Sequence, residues 1–134
     1  MATNKIFVNL SVKDLPKSKA FFEALGYSIN PQFTNEYAAS VVISDTIYAM
    51  LLTEEFFKRF TSKEIVDAKK ATEVLVCLST ESRAEVDDLV SKAVAAGGRV
   101  YNEPQDHGFM YGHGFEDLDG HLWELAYMEP SHIQ

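Results

Sequence analysis

The sequence contains little cysteine, little positive charge and no long apolar runs. Each of these shortages excludes a class of protein. Cys77 is the only cysteine, so no disulfide forms within the chain and no cysteine-rich metal site is available. The 12 Lys and Arg residues are outnumbered by 20 Asp and Glu residues, and the formal net charge of −8 repels phosphate backbones. We therefore expect no nucleic-acid partner. No window approaches the roughly 18 uncharged apolar residues of a membrane span, so we expect no membrane insertion.

The sequence does contain enough apolar material for a folded core. Its 134 residues are 46% hydrophobic and 12% aromatic, and a chain of this length buries roughly 70% of its unfolded surface. Residues 1–5 lead directly into a strand pattern, without the apolar segment of a signal peptide. We expect a cytoplasmic protein built as one domain or two small half-domains.

The first half of the chain reads as a strand, a helix and three further strands. Residues 5–13 are rich in β-branched and apolar side chains, which favours a strand. A helix over 15–25 follows, with Asp14 as its N-cap and Gly26 at its end. The three further strands are predicted at 27–33, 37–43 and 47–52. Thr53 then caps a short predicted helix that carries Phe56, Phe57 and Phe60.

The second half repeats this order. Residues 73–79 form a predicted strand, and either Thr80 or Ser82 caps a helix over 83–96 that ends at a glycine pair. Strand patterns follow at 99–102, 108–116 and 121–128, the last two being joined by a tight turn over 118–120.

The two halves can be aligned on these features. Placing residues 10–12 on 76–78 gives an offset of 66 (76 − 10), and placing Asp45 on Asp119 gives 74 (119 − 45). A longer second helix and a longer loop absorb the difference. We predict an α+β fold of two βαβββ modules, at about 1–60 and 73–134, joined by a charged link over about 61–72 that includes a possible helix over 61–70.

Three segments of the chain resemble a known family. Residues 9–27, NLSVKDLPKSKAFFEALGY, are similar to the opening of vicinal oxygen chelate proteins, and residues 115–127, FEDLDGHLWELAY, are similar to their closing strand pair. With GFMYGHG at 108–114, the pattern resembles the branch described as predicted lactoylglutathione lyases. The superfamily includes glyoxalase I, bleomycin resistance proteins and extradiol dioxygenases. The resemblance covers essentially the whole chain and implies one domain in which each module curls a four-stranded mixed sheet into half of a cup.

The resemblance also implies where a divalent metal ion, Ni, Zn, Mn or Fe, would bind. Metal-dependent members take one ligand from the first strand and one from the last strand of each module. We place those positions at Phe7, Met50, Glu73 and Glu124. Phe7 has no lone pair to donate and the Met50 thioether is a poor ligand for these ions, which leaves the two glutamates.

A histidine is the other candidate ligand. His107, His113 and His121 lie in the same third of the chain as Glu124, and two histidines with one carboxylate suit ferrous iron. His121 lies three residues from Glu124, so strand alternation places it on the opposite face. His113 stands between two glycines, where the backbone can approach a ligand closely. We therefore name Glu73, Glu124 and His113 as the expected metal ligands.

Glu124 is the expected catalytic residue. It stands in an otherwise apolar strand, LWELAY, where a charge is costly unless it is paired, protonated or coordinating. The expected lining of the cup consists of Phe7, Tyr48, Met50, Tyr111 and His113. Cys77 lies within an apolar strand run, and we expect an inert, buried thiol.

Three functions remain open. The first is a metal-dependent lyase similar to glyoxalase I, in which the ion polarises a substrate oxygen while Glu124 serves as ligand or moves a proton. The second is a metal-free protein that sequesters a small molecule, resembling the bleomycin resistance members, with an apolar pocket wall. The third is a structural module whose cup is filled by its own side chains. The family pairs its modules edge to edge, either within one chain or between two chains, and from this resemblance we expect a homodimer. The sequence leaves both pairings open.

Overall fold

In each half of the computed structural model, which describes residues 2–132, a long helix follows the first strand and three further strands follow the helix. The chain divides into two compact units, Met1–Val66 and Asp67–Gln134, and the boundary falls within the segment predicted as the link. The first unit contains β1 (Ile6–Val12), α1 (Leu15–Ala24), β2 (Ser28–Asn30), β3 (Ala38–Val42), β4 (Ile47–Thr53) and α2 (Glu54–Phe57). The second contains β5 (Leu75–Ser79), α3 (Arg83–Ala95), β6 (Gln105–Asp106), β7 (Met110–Glu116) and β8 (Leu122–Met128). None of the helices in this part of the chain has the length and apolar character needed to cross a membrane.

Each unit folds its strands into one mixed sheet, and the two sheets have the same topology. The strand order is β1-β4-β3-β2 in the first sheet and β5-β8-β7-β6 in the second. In both, the first strand pairs in parallel with the last, and the remaining pairs are antiparallel. The predicted α+β fold of two βαβββ modules is therefore confirmed.

The first helix forms where its end signals predict. The Asp14 carboxylate accepts a hydrogen bond from the backbone N–H of Lys17 at 3.1 Å, and Gly26 ends the helix with φ of 103°. Phe21 and Phe22 are both buried, and their rings meet edge to face with centroids 5.1 Å apart. The strand residues of the first unit that face α1 form its core: Leu10, Val12, Ala39, Val41, Ala49 and Leu51.

The third helix follows the same logic, with Ser82 rather than Thr80 as its N-cap. Ser82 Oγ accepts from the backbone N–H of Glu85 at 3.0 Å, while the Glu85 carboxylate accepts from the backbone N–H of Glu81 at 2.7 Å. The helix packs its apolar stripe against β7 and β8. The buried residues of this layer are Val86, Val90, Ala93, Phe115, Trp123 and Leu125.

Four predicted elements differ from the structure. The predicted strand 27–33 ends at Asn30, and Pro31–Phe33 form a 3₁₀ helix. At the predicted strand 99–102, only Arg99 forms a bridge, with Glu116, and regular pairing begins at β6. Pro104 has no N–H to donate, so a sheet ladder cannot run through it. The charged segment 61–70 forms no helix, which fits its lack of an apolar face. The short helix after Thr53 ends at Phe57 and leaves Phe60 outside it.

A buried carboxylate organises the turn between β7 and β8. Asp117 is 6% exposed, and its Oδ1 accepts from the backbone N–H groups of Asp119 and His121, each at 3.0 Å. Its Oδ2 accepts from Trp123 Nε1 at 3.0 Å. Burial raises the pKa of Asp117 above its ordinary value, while its hydrogen bonds act in the opposite direction. The carboxylate thus connects the hairpin turn to the largest side chain in the core.

We expect Asp117→Ala to lower the free energy of unfolding by about 2–4 kcal/mol, because the buried indole N–H of Trp123 loses its partner. Urea titration followed by the fluorescence of Trp123, the only tryptophan, measures this loss. Asp88→Ala, on the exposed surface of α3, is the control and should change stability by no more than about 0.5 kcal/mol. Equal losses in the two variants would contradict the role of Asp117.

Candidate functional site

Each sheet has one face covered by its long helix and an opposite face, which we call the open face. In the first sheet, strand register places Phe7 beside Tyr48 and Asn9 beside Met50, with all four on the open face. Phe7 is 54% exposed and stacks on Tyr48 with ring centroids 4.8 Å apart. The Lys5 ammonium lies 5.9 Å from the centre of the Tyr48 ring. The structure therefore brings three of the predicted pocket residues, Phe7, Tyr48 and Met50, onto one surface.

In the second sheet, Glu124 lies on the open face. Its neighbours in β8, Trp123 and Leu125, are buried on the α3 side, so alternation directs Glu124 away from the helix. Register places it between Cys77 on β5 and Gly114 on β7. The carboxylate is half-buried and is the only charged group of its strand.

Tyr101 joins this surface, and sequence reasoning missed it. Its hydroxyl donates to the backbone carbonyl of Trp123 at 3.5 Å, and its ring lies over Gly114. A Cβ on Gly114 would lie 2.4 Å from that carbonyl oxygen and 2.7 Å from the Tyr101 hydroxyl, so a glycine is required for the contact. Burial, followed by the charges of Glu124 and Cys77, raises the pKa of Tyr101. We call Cys77, Tyr101 and Glu124 the Glu124 cluster.

The Cys77 thiol is exposed, whereas the sequence predicted that it would be buried. The prediction was wrong because alternation places Cys77 on the open face, while its neighbour Leu78 is buried on the face that α3 covers. Partial burial and, to a smaller extent, the charge of Glu124 raise the pKa of Cys77. A thiol with a raised pKa is a weak nucleophile, as expected for an inert cysteine.

His113 and Tyr111 lie on the other face of this sheet. His113 is paired in register with the buried Leu125, and its Nε2–H donates to the backbone carbonyl of Asn102 at 3.0 Å. The Tyr111 hydroxyl donates to Asp87 Oδ1, on α3, at 2.6 Å. The structure therefore does not bring His113 to Glu124, nor Tyr111 to the open face. Both residues lie an odd number of positions from Gly114 in the same strand, so alternation alone predicts that they lie on the face opposite to it.

Strand register also corrects the alignment of the two halves. In the first sheet Asn9 is paired with Met50, and in the second sheet Cys77 is paired with Glu124. Residue 9 therefore corresponds to residue 77, an offset of 68 (77 − 9) rather than the predicted 66. The offset of 74 for the last strand is unchanged, because residue 50 corresponds to residue 124.

This correction moves one expected metal position. The counterpart of Phe7 is Leu75, which is 50% exposed on the open face, whereas Glu73 lies ahead of the strand. The four positions therefore carry Phe7, Met50, Leu75 and Glu124. Among these side chains only the Glu124 carboxylate is a good ligand for the ions of this family.

The residues present do not fit a divalent metal ion. Over residues 2–131, whose side chains the structure describes, no three His, Cys, Asp or Glu side chains lie close enough together to hold one. Glu124 and Cys77 offer two donors, and catalytic metal sites use three protein ligands. The arrangement offers instead a carboxylate acceptor beside apolar surface.

We expect Glu124→Gln to make Cys77 more reactive, because removing the neighbouring negative charge lowers the pKa of the thiol. Alkylation by iodoacetamide in mild alkali should be about threefold faster. Mass spectrometry follows a single site, since Cys77 is the only cysteine. The control Glu103→Gln, in an exposed loop, should leave the rate unchanged. An unchanged rate in Glu124→Gln would contradict the placement of the carboxylate beside the thiol.

Solved structures from several bacteria share this fold. A hypothetical protein from S. aureus, SA1046, is 33% identical, with 92% of each chain covered and a TM-score of 0.77. A glyoxalase-related enzyme from Fulvimarina pelagi is 21% identical, covering 90% of this chain and 85% of its own, with a TM-score of 0.74. A fosfomycin resistance protein from Mesorhizobium loti is 14% identical, covering 98% and 97%, with a TM-score of 0.71. The last two likenesses show the fold alone.

Sequence comparison gives the family directly. No curated protein matches the chain. Residues 6–125 match the sequence model described as the Glyoxalase/Bleomycin resistance protein/Dioxygenase superfamily. That match spans both modules, from β1 to β8. The chain therefore belongs to the glyoxalase, bleomycin resistance protein and dioxygenase superfamily, the vicinal oxygen chelate proteins.

Proposed function

We propose that the protein binds a small neutral or cationic organic molecule on the open faces of its sheets, and that it does so without a metal ion. One observation carries the proposal. Of the four positions at which metal-dependent members hold their ion, Phe7, Met50 and Leu75 present apolar surface and Glu124 alone presents a carboxylate. Mostly apolar walls with few polar groups are typical of small-molecule pockets.

Exposure of apolar side chains supports binding on these faces. Phe7 is 54% exposed, Leu75 is 50% exposed and Met128, on the open face of β8, is 38% exposed. Large apolar side chains that face solvent together commonly mark a ligand or protein interface. The third function considered above, a cup filled by its own side chains, requires Tyr111 on this face, and Tyr111 contacts Asp87 on the other.

Charge favours a ligand that is not an anion. The formal net charge is −8, and Glu124 is the charged group of the Glu124 cluster. Such a field disfavours anionic substrates, glutathione adducts among them. The raised pKa values keep both the Cys77 thiol and the Tyr101 phenol protonated, so Glu124 is the acceptor for a ligand N–H or O–H.

Metal-dependent lyase chemistry has less support. Glu124 lies where a general base would act, but proton removal from carbon also needs stabilisation of the developing oxyanion. A metal ion provides that stabilisation in glyoxalase-like enzymes, and the Glu124 cluster offers too few ligands for one.

We further propose that the protein acts in the cytoplasm as a homodimer, as its family resemblance implies.

Metal content tests the first part of this proposal. After incubation with Ni, Zn, Mn or Fe(II) and desalting, we expect elemental analysis of the untagged protein to find far less than one ion per chain. Glu124→Gln should retain the same small amount, because no complete ligand set is removed. About one ion per chain in the wild type, lost in Glu124→Gln, would overturn the metal-free proposal.

Ligand binding tests the second part. Nile red is uncharged and fluoresces in apolar surroundings, so we expect its emission to rise in the presence of the protein. Phe7→Ser should weaken dye binding about tenfold, by removing one buried aromatic contact. Phe33→Ser is a matched control, because Phe33 is 61% exposed in a short 3₁₀ helix of the same unit. Equal weakening in both variants, or no emission change, would contradict binding at the open face.

A further inference from the structure

An open groove lies on the α3 side of the second sheet, opposite the face that carries Glu124. Its volume is about 560 Å³, within the range of roughly 300–1,000 Å³ typical of small-molecule sites. The apolar residues that line it are Val90, Val94, Ala95, Val100 and Pro104. The polar residues are Asp87, Ser91 and His113. The groove is therefore distinct from the site of the proposed function and mostly apolar.

Two of the apolar wall residues face solvent. Val94 is 46% exposed on α3, and Val100 is 43% exposed on the segment that precedes β6. The core of this unit does not need them, because Val86, Val90 and Ala93 already fill the layer beneath the helix. The two valines provide apolar surface for a bound molecule.

The polar residues of the groove present hydrogen-bond acceptors. His113 uses its Nε2–H on the carbonyl of Asn102, so the other ring nitrogen, Nδ1, is an acceptor. Asp87 Oδ1 accepts from Tyr111 at 2.6 Å. Over residues 2–132, no ion pair or second hydrogen bond engages the Asp87 carboxylate, which leaves Oδ2 available.

The basic side chains around the groove are already paired elsewhere. Lys92 contacts Asp88 at 2.9 Å, one turn along α3. Arg99 contacts Glu116 at 2.8 Å. Arg83 donates to both oxygens of Asp106, at 2.9 and 3.2 Å. No Lys or Arg stands among the described residues that line the groove, although the Arg83 guanidinium, already paired with Asp106, lies 5.2 Å from the centre of the Tyr111 ring. Asp87 is therefore the one carboxylate of the described groove lining.

We propose that this groove binds a small organic ammonium ion, with its charged nitrogen at the Asp87 carboxylate and its apolar body between Val94 and Val100. The charge-assisted hydrogen bond between the ammonium group and the carboxylate offsets the free-energy cost of removing water from the cation. The valines cover the hydrocarbon part of the ligand. An anion would meet the negative charge of Asp87, with the Ser91 hydroxyl as the one side-chain donor of an uncharged residue in the described lining. The site goes beyond the proposed function, since it lies on the other face of the sheet.

Three probes of matched shape test the proposal: benzylamine, benzyl alcohol and benzoate. In ¹⁵N-resolved NMR titrations, we expect benzylamine to shift the amide signals of Val94, Val100 and His113 saturably. Benzyl alcohol should bind about fivefold more weakly, because it lacks the charge, and benzoate should not shift these signals. Asp87→Asn should reduce benzylamine affinity to that of the alcohol, and its side-chain oxygen still accepts from Tyr111.

The matched control is Asp88→Asn, which changes net charge equally but removes a carboxylate outside the groove. It should leave benzylamine affinity unchanged. A second variant, Val94→Lys, places a cation at an exposed position of the wall and should abolish binding. Equal weakening by the two asparagine variants, shifts confined to Cys77 and Glu124, benzoate binding or no shifts at all would overturn the proposal. The Nile red experiment tests the proposed function through Phe7, which lies in the other unit. Its outcome is therefore independent of the outcome of the benzylamine titration.

Discussion

Parallel pairing of the first and last strands is the constraint on which each module depends. In both sheets this pair occupies one side of the strand order, and the intervening helix must cross back over one face. Every strand residue is thereby assigned either to the helix layer or to the open face, because side chains alternate with a period of two. The cores beneath α1 and α3 use one parity, and the open faces use the other.

The candidate site follows from this division of the second sheet. Glu124 is set apart from its buried neighbours Trp123 and Leu125 by parity alone, and register then places it beside Cys77. Gly114 lets Tyr101 lie across the sheet above the backbone, which completes the Glu124 cluster. The same parity sends His113 to the opposite face, where it lines the groove along α3.

The fold alone does not decide the chemistry of this family, since a single scaffold can carry either a metal site or an apolar pocket. In this chain, Phe7, Met50 and Leu75 are apolar at positions where metal-dependent members carry metal ligands. Asp117 and the capped helices stabilise the fold itself. Losing ligand atoms at these positions costs the fold little, because the open faces contribute less to the core than the faces under the helices. The proposed site around Glu124 and the core beneath α3 thus lie on opposite faces of the second sheet.

The sequence by itself determined the modules, because helix ends, strand periodicity and turns are local signals: Asp14 and Gly26 bound α1, and Ser82 bounds α3. It also placed Tyr48 and Met50 on one face, since the strand period is local. That Phe7 shares this face depends on the parallel register of β1 with β4. Only the tertiary structure decided that Tyr101 reaches Glu124, that Cys77 is exposed and that Leu75 corresponds to Phe7. Each of these depends on which strands are neighbours and in what register, and hydrogen bonds between distant segments set that arrangement.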